Sequence, residues 1–135
     1  MEKSITLLVK CPHCGESFMD EEHPLNGKPG IKITIETNHE KGILWLCPIY
    51  GCFQHESTVD MAENEVVKLF CPHCNQSLQR DIICKSCSAP MVGFNINAGG
   101  KVNICSRKGC QNHFIVFEEA DDLINLFYEK FEPRY

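Results

Sequence analysis

The segment Cys71–Cys87, CPHCNQSLQRDIICKSC, decides how this chain is to be read. Two Cys-x-x-Cys pairs lie nine residues apart, and a third pair follows at Cys105 and Cys110 in CSRKGC. Four thiolates complete a tetrahedral zinc site. This half of the chain offers six.

Working outward, the same signs recur earlier. Cys11-Pro-His-Cys14 matches Cys71-Pro-His-Cys74 sixty residues on, and Cys47-x4-Cys52-x2-His55 matches Cys105-x4-Cys110-x2-His113 fifty-eight residues on. Before each second pair stands a β-branched run, a polar turn with Gly and another β run. These are IKITIET–NHEKG–ILWLC in the first half and MVGFNI–NAGG–KVNIC in the second. Each reads as a hairpin. Further strands are expected at 4–9, 66–70 and 114–117. The chain therefore divides into a first unit over 1–60, a second over 61–118 with an extra Cys-x-x-Cys, and a tail over 119–135.

The tail places Leu123, Phe127 and Phe131 at i, i+4 and i+8, widened by Ile124 and Tyr128. Acidic residues at 118–122 suit a helix N-terminus, and Pro133 suits its end. A C-terminal amphipathic α-helix is expected, packed on the second hairpin or docking a partner.

Ten cysteines in 135 residues would suit disulfides only in an oxidising compartment. The apolar run Ile5–Val9 closes at Lys10, too short for a secretory leader or a membrane span. A cytoplasmic location is expected, with reduced thiols that bind metal. Units of about 60 residues bury too little to be comfortably stable alone, and metal commonly supplies the difference.

The formal charge is −5, and each four-thiolate zinc site contributes −2 more, taking the count to about −9 with two. Affinity for nucleic acid rests on Lys and Arg displacing counterions, so acidity disfavours that partner.

Pair, hairpin, pair resembles the zinc-ribbon family, in which two cysteine-bearing knuckles are joined by a short antiparallel sheet. The residues that carry the resemblance are CPHC at 11–14, CPIYGC at 47–52, CPHC at 71–74, CKSC at 84–87 and CSRKGC at 105–110. The chain departs from the plain pattern in its Cys-x4-Cys second knuckles and in the extra pair. The resemblance implies a small, metal-stabilised, mainly β protein of two tandem knuckle-hairpin-knuckle units plus the terminal helix. Zinc is the implied metal, two ions or three, although rubredoxin-type iron uses similar pairs.

The first unit holds Cys11, Cys14, Cys47 and Cys52 and no other cysteine, which assigns them to one zinc. Their 32-residue spacer is long, so residues 20–30 are expected to loop out. In the second unit three groupings stay open. Cys84 and Cys87 with Cys105 and Cys110 have a 17-residue spacer within the range for such sites and are favoured. Cys71 and Cys74 with Cys105 and Cys110 obey the repeat. Cys71, Cys74, Cys84 and Cys87 would form a short ribbon. His55 and His113 are further candidate ligands, but a hydrogen bond to a thiolate or carbonyl is their expected use. His13 and His73 are expected to face outward from their knuckles.

A closed four-cysteine site neither activates water nor polarises a carbonyl. No phosphate loop, nucleophile elbow or His-Glu-x-x-His is present. The expected function is a non-catalytic adaptor or accessory subunit, not an enzyme, with Ile43, Trp45, Ile49, Tyr50 and Phe53 as contacts for a protein partner. One alternative is a nucleic-acid-binding ribbon of the transcription or translation machinery, using Arg107 and Lys108. Another is a redox or metal sensor working through the surplus pair. No membrane association is expected.

Overall fold

A computed structural model describes residues 5–116, and every named element in it is a β-strand. They are β1 Val9–Lys10, β2 Met19–Leu25, β3 Lys28–Glu36, β4 Lys41–Leu46, β5 His55–Ser57, β6 Lys68–Phe70, β7 Gln79–Ile83, β8 Pro90–Ile96, β9 Lys101–Cys105 and β10 His113–Val116. The fold class expected from sequence is corrected accordingly. No helix occurs among the described residues, where strands plus a C-terminal α-helix were expected. The segment 119–135, on which that helix was placed, lies outside the described residues.

The expected hairpins form as β3–β4 and β8–β9, with registers Ile31↔Leu46 and Val92↔Ile104. Alternation along β3 buries Ile31, Ile33 and Ile35 on one face, and β8 buries Val92, Phe94 and Ile96. These two rows join Leu7, Val9, Phe18, Leu44, Leu69 and Leu78 in one shared core. Phe18 meets Phe94 edge to face, with ring centroids 5.6 Å apart.

The units are interleaved. In the first sheet β3 lies between β4 and an edge shared end to end by β2 and β6. In the second, β8 lies between β9 and an edge shared by β7 and β1. The physical reason is the length of the central strands. β2 leaves the second half of β3 without a partner, and β6 fills it at Thr34↔Phe70, Ile35↔Leu69 and Glu36↔Lys68. β1 fills the matching place on β8 at Val9↔Ile96 and Lys10↔Asn95. Both borrowed strands satisfy backbone groups that an open edge would expose. Each chain segment that passes from a borrowed strand into the unit's own hairpin therefore crosses from one sheet to the other. Those segments are the two CPHC knuckles.

Residues 20–30 do not loop out, which is a second correction. They form the β2–β3 hairpin, closed by Asn26 and Gly27 with φ of 54° and 80°. Paired left-handed residues at Asn-Gly are the two-residue hairpin turn that matches strand twist. Pro24 and Pro29 face each other beside it, next to a shift in register.

Candidate metal centres

All three Cys-x-x-Cys turns share one backbone design. In each, the first cysteine N–H bonds a carbonyl five residues on: Cys11 to Glu16 (2.9 Å), Cys71 to Gln76 (3.0 Å) and Cys84 to Ala89 (2.8 Å). Its carbonyl accepts from the residue four on, Gly15, Asn75 or Ser88, at 2.9–3.0 Å. Those three residues all have φ between 60° and 78°. The left-handed step turns the chain so that both sulfurs face the same side. The Cys-x4-Cys turns are a second shared design, each closing through a left-handed glycine, Gly51 at φ 87° and Gly109 at φ 92°.

Because the two CPHC knuckles cross between sheets, they meet. Cys11, Cys14, Cys71 and Cys74 bring their sulfurs within 4.8 Å of one another. Cys11 Sγ lies 3.7 Å from Cys74 Sγ, and Cys14 Sγ 3.7 Å from Cys71 Sγ. The arrangement is close to two-fold. His13 and Cys14 N–H groups donate to Cys11 Sγ at 3.3 and 3.4 Å, and His73 and Cys74 N–H groups donate to Cys71 Sγ at the same distances. His13 and His73 each reach across to the opposite unit, His13 Nε2 to Ser77 O at 3.0 Å and His73 Nε2 to Ser17 O at 3.3 Å. The knuckle histidines thus tie the two units together.

The second group is Cys84, Cys87, Cys105 and Cys110, again within 4.8 Å. Cys84 Sγ is 3.7 Å from Cys110 Sγ, and Cys87 Sγ is 3.3 Å from Cys105 Sγ. Asn112 Nδ2 donates to Cys84 Sγ at 3.2 Å, and the Arg107 N–H to Cys105 Sγ at 3.5 Å. Such donors draw charge from thiolates and fix their orientation.

The donor sets fit a tetrahedral ion. Metal–sulfur bonds of about 2.3 Å imply tetrahedral edges of about 3.8 Å, close to the 3.7 Å spacings in both groups, with Cys87 and Cys105 of the second closer at 3.3 Å. The electrostatics agree. Asn112 donation brings the Cys84 thiol down to about 6 against burial. Burial works to raise Cys11, but the Cys14 and His13 N–H groups outweigh it and bring that thiol down to about 7. Burial and the neighbouring thiols push Cys71 up to about 12 and raise Cys105 as well. Four thiols this close cannot all ionise alone, and a bound cation removes that penalty.

The second group is the grouping with the 17-residue spacer. The first differs from the sequence expectation. Cys11 and Cys14 stand with Cys71 and Cys74, and neither metal-sized group includes Cys47 or Cys52. The first-unit assignment of Cys11, Cys14, Cys47 and Cys52 is therefore corrected, because the CPHC knuckle leaves its own unit's sheet. Cys47 and Cys52 instead share one amide, with Asn26 Nδ2 3.3 and 3.4 Å from their sulfurs. Asn26 was missed in the sequence. The signal was the Asn26-Gly27 dipeptide, which occupies the hairpin end where the second unit carries CKSC.

His55 and His113 are not in either group. Their Nδ1 atoms donate to the Phe53 carbonyl at 3.3 Å and the Gln111 carbonyl at 2.8 Å. Trp45 stacks on His23 (centroids 3.8 Å apart) and donates from Nε1 to Asp20 at 3.0 Å, while His23 pairs with Glu56. Tyr50 and Phe53 are 38% and 42% exposed and flank the His113 ring at 4.8 and 5.0 Å. Beneath them a largely apolar cleft of about 300 Å³ opens between the two Cys-x4-Cys knuckles, floored by Leu44, Leu46, Phe94 and Val102. Arg107 and Lys108 are engaged within the chain, through Arg107 Nη1 to Asn64 O at 2.9 Å and Lys108 Nζ to Glu63 at 2.7 Å.

Compared with known proteins, the chain matches no family model, no curated sequence and no solved structure. Two four-cysteine clusters in a small, mainly β protein define a chain compatible with zinc-ribbon-like units and able to hold two metal ions. Among the described residues no helix is long and apolar enough to cross a membrane.

Proposed function

We propose that this is a non-catalytic zinc protein that serves as an adaptor or accessory subunit for another protein. The observation that carries the reading is the closure of both clusters. Each supplies four cysteine donors, which leaves a tetrahedral ion no position for water or substrate. Metal in such sites holds shape. One ion would pin the crossing of the two units, and the other would pin the open end of the β8–β9 hairpin.

The working surface of the adaptor is the cleft between the second knuckles. Tyr50 and Phe53 stand at its mouth with partly exposed rings. Aromatic side chains over an apolar pocket are the usual anchors of protein interfaces. A partner inserting an apolar side chain there would bury those rings and part of the cleft floor. The test is affinity capture from the source cell with the wild-type chain and with Tyr50→Ala/Phe53→Ala, both loaded with metal. The reading expects a reproducible partner that the variant loses while keeping two metals per chain. Hydrolytic or transfer activity that depends on the bound metal would overturn it.

A further inference from the structure

Cys47 and Cys52 have the backbone of a metal knuckle without the other half of a tetrahedron. Cys47 N–H bonds Gln54 O at 3.0 Å and Cys52 N–H bonds Ile49 O at 2.9 Å. In the second unit Cys105 N–H bonds Asn112 O and Cys110 N–H bonds Arg107 O, both at 3.1 Å. The glycine between has the same left-handed φ in both turns. The second-unit copy of this turn presents two sulfurs to a four-cysteine cluster. Opposite it stands the CKSC knuckle between β7 and β8. Opposite Cys47 and Cys52, between β2 and β3, stands the tight turn Leu25-Asn26-Gly27-Lys28. Among the described residues, no group of three metal-ligating side chains within 4.8 Å includes Cys47 or Cys52. His55, the nearest histidine in sequence, has its Nδ1 turned to the Phe53 carbonyl.

Such a pair has too few donors for a divalent ion that wants four. Soft thiolates bind copper(I), zinc and iron–sulfur clusters alike, and of these copper(I), a monovalent d10 ion stable with two ligands, is the one that a two-donor site suits. Charge points the same way. Two thiolates and one monovalent cation carry −1 in total, and Asn26 Nδ2 donates to both sulfurs at once. Hydrogen bonds of this kind stabilise a metal–thiolate unit. Cys47 is buried and Cys52 is partly open, so an ion can arrive from the Cys52 side and be shielded on the other.

We infer that Cys47 and Cys52, capped by the Asn26 amide, form a third metal site that takes one thiophilic monovalent cation of the copper(I) class. Binding is a proton exchange without redox change: two S–H protons pass to buffer and two S–metal bonds form. The pair sits on the knuckle that carries Tyr50 and Phe53 at the cleft, but its copper readout does not rest on the adaptor reading, since neither cysteine belongs to the four-cysteine clusters.

The test is anaerobic titration of the chain, with both clusters filled by zinc, against copper(I) held by a coloured chelator. Chelator absorbance and native mass are read together. The expected result is one copper(I) per chain at the first equivalent with both zincs retained. Cys47→Ser/Cys52→Ser should lose that copper while keeping both zincs, which shows that the variant is folded. Asn26→Gly, which tolerates the left-handed backbone, should keep the site and weaken it about 10- to 100-fold. Cys52→Ser alone, leaving the buried Cys47 in place, should weaken binding at least as much. Copper entering only as zinc leaves, or binding equally to wild type and to the Cys47→Ser/Cys52→Ser or Cys52→Ser variants, would overturn the inference.

Discussion

Replacing Cys14 and Cys74 by Ser removes two of four donors from the crossed cluster and leaves the other eight cysteines in place. The strands that cross between units are short. β1 contributes two ladder pairs and β6 three, so the crossing depends on the shared core and on what the knuckles hold. Structural zinc in small domains supplies about 10–16 kcal/mol of apparent binding free energy. A domain of this size has a net stability of about 5–15 kcal/mol. Loss of the crossed ion should therefore consume most of the stability and abolish the cooperative melt. Cys47→Ser/Cys52→Ser serves as the control. It removes two hydrogen bonds from Asn26 and no ligand of either cluster, at a cost of about 1–3 kcal/mol. The assay is metal content per chain together with urea unfolding followed by the single tryptophan, Trp45. One metal and a collapsed transition are expected for the first variant, two metals and a shifted transition for the second. The reverse pattern, with zinc lost from Cys47→Ser/Cys52→Ser and kept in Cys14→Ser/Cys74→Ser, would refute the reasoning.

The remaining predictions concern packing, the second cluster and pH. Phe18→Ala should cost about 3–5 kcal/mol by urea unfolding, because Phe18 is 2% exposed against Phe94 at the centre of the shared core. Phe18→Leu, which copies Leu78 of the second unit, should cost less. Asn112→Leu removes the donor to Cys84 and should weaken metal binding at the second cluster by about 10- to 100-fold in chelator competition, leaving the crossed cluster unchanged. Cys84 and Cys11 are held below the ordinary thiol value of 9.0 in the fold, so the stability they contribute is complete above that value. In the metal-free fold it is lost as pH falls through about 7 and about 6. Alkylation of the metal-free chain, mapped by residue from pH 8 to pH 5, should slow over that window at Cys84 and Cys11, whereas bound metal holds the thiolates to lower pH. A fall at these two cysteines that begins near the ordinary thiol value of 9.0 would show that the fold does not hold them down.

Much of the fold was legible because side-chain periodicity reports which residues share a face. The runs at Ile31–Ile35 and Met91–Ile96, each followed by a polar turn, declared the two hairpins, and the Cys87-to-Cys105 spacer pointed to the second cluster. What periodicity does not report is which strand occupies which edge. Val9–Lys10 and Lys68–Phe70 carry two and three residues, too few to reveal that each pairs with the other unit's long strand. Equal spacing in the two units also hid a substitution. Counting the cysteines of the first unit led to one four-cysteine site there, whereas the structure puts Asn26 across from Cys47 and Cys52. The Asn26-Gly27 turn was there to be read, but the 32-residue spacer between the cysteine pairs argued for a loop. Pro24 and Pro29, a residue type rare in paired strands, flank that turn. They are accommodated by facing each other beside an irregular register.

The central claim is that the ligands of one metal come from both units. It is tested most directly by cadmium substitution with a spin-active isotope, followed by NMR correlation from each cadmium to cysteine β protons. Two cadmium resonances are predicted, one correlated to Cys11, Cys14, Cys71 and Cys74, the other to Cys84, Cys87, Cys105 and Cys110. A single cadmium correlated to Cys11 and Cys14 together with Cys47 and Cys52 would contradict it.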